Sequence, residues 1–205
     1  MSRTSTIAAG LLVFCGLWIR EIGLLPTGEF TVSMLDVGQG DAIVLQTPGG
    51  YRILIDGGPD LSVLERLGET LPVLDRRIDL VVLTHPDADH VTGVPAVLER
   101  YDVGAILLAG TMHSSSRYAH LLDVIAQHNI PILLPDPDVD ITWSDGTVFD
   151  VLWPNPATGH TLHSNDQSIV FRVFGPTFSL LLTGDIEAEA EAEILASGAD
   201  LRVDI

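Results

Sequence analysis

From residue 30 onward the chain is built of short apolar runs separated by turns rich in glycine and aspartate. Residues 30–35 alternate with period two. Residues 42–47 are β-rich and stop at Pro48-Gly49-Gly50, and residues 51–55 make a third run, so a three-stranded antiparallel meander is predicted. The segment Asp36-Val37-Gly38-Gln39-Gly40-Asp41 carries more glycine than a plain hairpin needs, which predicts a loop whose backbone passes close to another part of the molecule. Apolar residues at 61, 64, 67, 71 and 74 have helical spacing. Residues 78–83 then read as a strand, 85–93 as a loop, 94–101 as a helix and 105–108 as a strand. Residues 116–128 form a helix with a serine available as cap, and 130–134 are again extended. This alternation predicts a partly parallel sheet covered by helices, an α/β fold. After an Asp- and Pro-rich surface turn over 135–145, strands are expected over 148–153, 168–174 and 178–182, and a helix with a solvated Ala/Glu face over 186–195.

The N-terminal pattern is different. Residues 7–19, IAAGLLVFCGLWI, are continuously apolar, with Arg3 before them and Arg20-Glu21 after. At 1.5 Å per residue the run covers roughly 20 Å of a hydrocarbon core about 30 Å thick. It is short for a span and resembles a signal-peptide apolar region or a membrane helix; a buried helix of the folded domain is the other reading. With Pro26-Thr27-Gly28 as linker, residues 1–29 are an appendage and residues 30–205 one domain. Membrane association through the appendage is the expectation.

Charge narrows the choice of partners. The 205 residues carry a net charge of −18, and all ten basic residues are arginine. A broad basic footprint for nucleic acid is excluded, although divalent cations in a carboxylate-rich site can themselves hold phosphate. The lone Cys15 forms no internal disulfide.

The chemistry is concentrated in His85-Pro86-Asp87-Ala88-Asp89-His90, directly after the apolar run Leu80-Val81-Val82-Leu83 and Thr84. Four candidate ligands within six residues at a strand end can converge on one or two metal ions. In extended chain, positions 85 and 87 face the same side, and a turn through 89 and 90 presents the second pair. Asp185 follows the apolar run of residues 178–182 and so lies at another strand end, where it is a ligand or the cap of the next helix. Asp56 ends a strand before two glycines, where an aspartate commonly forms a turn. Asp41, beside Gly38 and Gly40, either borders the site or serves the loop structurally.

The motif resembles the metallo-β-lactamase superfamily signature His-x-His-x-Asp-His, with Asp87 in place of the second histidine. More narrowly, residues 30–205 resemble the metallo-β-lactamase-like domain of the ComEC family of DNA-uptake proteins. The matching segments are Leu35-Asp36-Val37-Gly38-Gln39-Gly40-Asp41-Ala42, Leu54-Ile55-Asp56-Gly57-Gly58, residues 84–93, Leu152-Trp153-Pro154, Asn165-Asp166-Gln167-Ser168 and Leu181-Leu182-Thr183-Gly184-Asp185. The resemblance implies an αββα sandwich. It implies His85, Asp87, Asp89, His90 and Asp185 as metal ligands, with Asp89 and Asp185 taking part in catalysis and Asp185 bridging two ions. Asp56 and Asp41 would support the ligands from behind. The register of the following strand places Asn165 and Asp166 near the metals or the substrate, with His160 and His163 as loop residues. The family pattern continues into a His-His-Gly-Ser motif beyond the last residue given, so the sandwich is expected to be incomplete at its C-terminus, and the family's multispan channel portion is absent here.

A carboxylate at 87 makes the donor set harder, so Mn²⁺ or Mg²⁺ gains ground against Zn²⁺ as the pair of divalent cofactors. Such ions activate water and neutralise phosphate charge. The reading is a metal-dependent hydrolase cleaving DNA during uptake, membrane-associated with the hydrolase domain outside the cytoplasm. Hydrolysis of another ester or lactam, or a non-catalytic metal-poor module, are the alternatives.

Overall fold

The computed structural model describes residues 3–110, 113–154 and 165–205. Two sheets lie face to face with helices on both outer sides. The first sheet contains β1 (Thr31–Met34), β2 (Ile43–Gln46), β3 (Arg52–Ile55), β5 (Leu80–Leu83), β7 (Ile106–Leu108) and β8 (Ile132–Leu133), in that spatial order. Its first three strands are the antiparallel meander expected from the sequence, and its last three join in parallel. The second sheet, antiparallel, contains β9 (Ile141–Thr142), β10 (Val148–Trp153), β11 (Val170–Gly175) and β12 (Phe178–Leu182). A small parallel pair, β4 (Arg77–Ile78) and β6 (Asp102–Val103), closes one edge.

Strand periodicity explains the layering. Ile53, Ile55, Leu80, Val82 and Leu107 point toward the second sheet and pack with Phe149, Val151, Phe171 and Val173. The intervening Leu54, Val81, Leu83, Ile106 and Leu108 point the other way. There they meet α2 (Ser62–Thr70), α4 (Val94–Arg100) and α5 (Ser116–His128) through Val63, Leu67, Val97, Leu98, Leu121 and Ile125. Because both faces of these strands are covered, they read as continuous apolar runs. Phe149 and Phe171 stack at 4.0 Å at the centre of the sandwich. On the far side of the second sheet, Trp153 and Val170 pack against Ala190 and Ile194 of α6 (Ala188–Ser197). The order helix, sheet, sheet, helix is the predicted αββα sandwich.

Several boundaries differ from the periodicity. The strand expected over 78–83 breaks at Asp79, whose carboxylate accepts from the Arg52 N–H and the Arg77 guanidinium. The helix expected over 61–74 ends before Leu71, because the residue ahead of Pro72 is pushed into extended backbone. The loop after β5 contains a single helical turn, α3 (Ala88–Val91), and α6 starts two residues later than expected.

The N-terminal helix α1 (Arg3–Gly23) stands away from the core. Leu12 and Ile19 are 75% and 72% exposed, and Phe14, Leu17 and Trp18 are also exposed, so the buried-helix reading is wrong. Among the described residues, no helix is long and apolar enough to cross a membrane. The helix is tied down at its C-terminal end, where the Arg20 guanidinium donates to the carbonyls of Gly68 and Glu69 and the Glu21 carboxylate accepts from the Val73 N–H.

Candidate metal centre

The site sits where β3, β5 and β12 end at one edge of the sandwich. β3 delivers Asp56, β5 delivers Thr84 and His85, the short α3 carries Asp89 and His90, and the turn after β12 delivers Asp185. Donor atoms of His85, His90 and Asp185 all lie within 4.8 Å of one another. Among the described residues, these three form the group that can hold one ion. His90 Nε2 is 3.5 Å from Asp185 Oδ2, and the two imidazole rings are 4.1 Å apart.

Asp56 organises this group from below. Its backbone is left-handed, at φ 57°, which an aspartate tolerates better than most residues. The turn aims its carboxylate, 1% exposed, back under the metal loop. One oxygen accepts the Thr84 N–H at 2.8 Å; the other accepts the Thr84 hydroxyl at 2.6 Å and faces His90 Nδ1 at 2.8 Å. A carboxylate only accepts, so Nδ1 of His90 carries the proton and Nε2 is turned toward Asp185.

Close backbone approaches hold the loops in register. A side chain on Gly40 would lie 2.0 Å from the Asp89 carbonyl, and one on Gly93 would lie 2.0 Å from the Gly57 carbonyl. The glycine-spaced loop of residues 36–41 therefore does pass against the metal loop, as its composition implied. Gly184, at φ +53°, has Ser168 and Thr84 where a Cβ would stand, which lets the Asp185 turn settle onto the first sheet. The Ile169 N–H donates to the Thr84 carbonyl at 3.0 Å and joins the two sheets at this edge.

Electrostatics follow from burial. Burial pulls the His85 imidazole below its ordinary value, helped by neighbouring His90 and opposed by Asp56, Asp185 and Asp87. Burial also acts to lower His90, but the hydrogen bond and charge of Asp56, with Asp185 and Asp89 behind it, win and push it up to about 9. Burial pushes the Asp41 carboxyl up; His90 pulls it down, while Asp56 and Asp185 add to the rise.

Other residues expected at the site take varied positions. Asp87 is half-exposed, with Oδ2 3.9 Å from His85 Nε2; it stands at the N-cap position of α3, but its side chain makes no capping hydrogen bond. Asp89 lies on α3 beside His90, and its carboxylate is not part of the three-residue group. Asp185 is not the cap of α6, a position held by Glu187. The Asn165 side chain donates to Glu187 Oε1 at 3.2 Å, and Asp166 Oδ1 accepts the Glu187 N–H at 2.8 Å. Asp166 is 2% exposed, and its carbonyl receives the Trp153 indole N–H. His160 and His163 lie outside the described residues. Thr84 is the residue that sequence reasoning passed over; its signal was a hydroxyl directly before His85 at the strand end.

The arrangement has the chemistry of a cation site. Two imidazoles with outward Nε2 atoms and one carboxylate are a donor set that fits a divalent metal. The chain belongs to the metallo-beta-lactamase superfamily, whose family model matches residues 35–202. Within that superfamily its curated relatives include competence proteins of the ComEC family. They include ComE operon protein 3 of Bacillus subtilis (strain 168), 26% identical over 87% of this chain and 25% of the relative. Competence protein ComA of Neisseria gonorrhoeae is 25% identical over 83% of this chain and 22% of the relative. The chain thus spans about a quarter of the length of these relatives. Zn(2+)-bound PqqB from Methylobacterium extorquens shares the fold, with a TM-score of 0.53 and 16% identity over 75% of this chain and 56% of that one. Fold and family together make this a metal-dependent hydrolase domain.

Proposed function

We propose that the domain hydrolyses phosphodiester bonds of DNA during DNA uptake. The observation that carries this reading is the hard donor set at the site. Asp87, where the superfamily signature has an imidazole, brings a carboxylate to 3.9 Å from His85 Nε2, and Asp185 supplies another beside His90. Oxygen-rich donors favour Mn²⁺ or Mg²⁺, with Zn²⁺ as the competitor. His85, His90 and Asp185 would hold the first ion, and Asp87, with Asp89 on the same loop, would contribute to a second. A bound divalent ion supplies Lewis acidity and a water of lowered pKa. Asp56 fixes the donor atom of His90, and the half-exposed Asp185 and Asp87 mark the side from which substrate enters. The competence relatives support DNA as that substrate, since the net charge of −18 gives the domain no electrostatic pull on DNA of its own.

The test is incubation of the purified domain with single-stranded DNA and Mn²⁺, both as it stands and extended through the family's His-His-Gly-Ser motif, beside an active nuclease. Metal-dependent cleavage that His85→Ala and Asp185→Asn abolish is expected. Intact DNA together with turnover of an ester or lactam would overturn the DNA assignment. The exposed apolar face of α1 supports association with a membrane surface, with the hydrolase domain extracytoplasmic. Co-sedimentation with vesicles that is lost on deleting residues 1–29 would bear this out, and binding unchanged by the deletion would refute it.

A further inference from the structure

His90 takes its orientation from a carboxylate, yet among the described residues His85, the other imidazole of the group, touches no carboxylate through its Nδ1. What stands there is the Thr84 hydroxyl, 3.1 Å away and buried. We propose that Thr84 is a positioning residue that fixes the ring of His85 with its Nε2 lone pair outward, so that one buried acid, Asp56, sets the donor atom of both histidines.

The assignment follows from counting protons. A threonine hydroxyl has one proton and two lone pairs, and an ionised carboxylate has no proton to give. Thr84 Oγ1 is 2.6 Å from Asp56 Oδ2, so its proton lies in that bond. Toward His85 the hydroxyl can then only accept, and Nδ1 must donate. Nε2 of His85 is thereby left unprotonated on the side of Asp87 and Asp185.

Thr84 is also held where it cannot evade this role. Its N–H is bonded to Asp56 Oδ1, its carbonyl receives the Ile169 N–H, and Gly184 packs over its Cβ. The hydroxyl is a relay of fixed length between Asp56 and His85. A residue that merely filled this space could be replaced by valine, which has the same shape and no hydrogen-bonding group.

The inference rests on the metal-site reading, and its test separates the two. Long-range proton–nitrogen NMR on the metal-free chain with labelled histidine reads the tautomer directly, at mildly alkaline pH. The wild type is expected to carry the His85 proton on Nδ1. Thr84→Val should move it toward Nε2 and weaken Zn²⁺ and Mn²⁺ binding about tenfold in calorimetric titration, while His90 keeps its proton on Nδ1. Thr84→Ser should restore both. A wild-type His85 protonated on Nε2 overturns the proposal whether or not any variant folds, as does a folded Thr84→Val with the wild-type tautomer and affinity. A wild type that binds neither metal refutes the metal centre, and the tautomer comparison still decides the role of Thr84.

Discussion

Replacing Asp56 by asparagine removes one acceptor from a site that uses every one it has. The backbone is not the issue, since asparagine adopts the left-handed φ of 57° as readily as aspartate. The side chain is 1% exposed and takes three hydrogen bonds, all from groups that donate. If the amide oxygen stays on the Thr84 N–H, the amide nitrogen faces the Thr84 hydroxyl and His90 Nδ1. The hydroxyl can rotate, but the imidazole must move its proton to Nε2, the atom 3.5 Å from Asp185. In the opposite orientation two N–H groups confront one another in a buried place, which costs about 1–3 kcal/mol. Either way, metal affinity should fall about 10- to 100-fold, or roughly 1.4–2.8 kcal/mol. The metal-free protein should lose about 1–3 kcal/mol of stability. Calorimetric titration with Mn²⁺ and Zn²⁺ measures the first and urea unfolding the second. A variant with wild-type affinity and the His90 proton still on Nδ1 would refute this account of Asp56.

Three more predictions probe the surroundings. Gly40→Ala adds a methyl where the Asp89 carbonyl stands 2.0 Å away, at a φ of +66°; melting temperature and metal affinity should drop together, and a loss of one without the other would uncouple this loop from the site. Trp153→Phe deletes a buried 2.7 Å bond to the Asp166 carbonyl and should cost about 1–2 kcal/mol in urea unfolding; an unchanged midpoint would show that this bond contributes nothing net. Burial would raise the Asp145 carboxyl, but the Thr47 hydroxyl and the N–H groups of Thr147 and Gly49 outweigh it and hold the carboxyl below its ordinary 3.8. A depressed value means that the carboxylate stabilises the fold above that pH and stops doing so as pH falls through the folded value. Asp145→Asn should therefore be less stable than wild type by about 1 kcal/mol at neutral pH, discounted for partial exposure, and the gap should close in acid; a gap independent of pH would contradict this.

The layers of the fold were legible because strands covered on both faces leave an unbroken apolar signature, as in Leu80-Val81-Val82-Leu83. The meander over 30–55 was legible from alternation and glycine turns. Local charge pairing was not, and so the break at Asp79 went unforeseen, since it depends on Arg52 and Arg77 arriving from elsewhere. The imidazoles stood out because ligands that share one loop are adjacent in sequence. Asp185 could be paired with them only through family resemblance and its strand-end position, because their proximity is made by sheet packing. The role of Thr84 was invisible for a related reason: threonine before a loop is unremarkable until Asp56 lies under it. Asn165 and Asp166 were expected near the metals; their side chains bond to Glu187, and the Asp166 carbonyl receives the Trp153 indole N–H.

The three converging groups have divided origins. His85 and His90 hang from the first sheet, and Asp185 hangs from the second. Anything that engages all three is thermodynamically linked to the docking of the two halves, and each tenfold excess of such a ligand over its dissociation constant adds about 1.4 kcal/mol against their separation. Expressed as two fragments cut between the sheets, the chain would have no complete set of donors in either piece. Cation affinity would then serve as a readout of whether the halves have found each other.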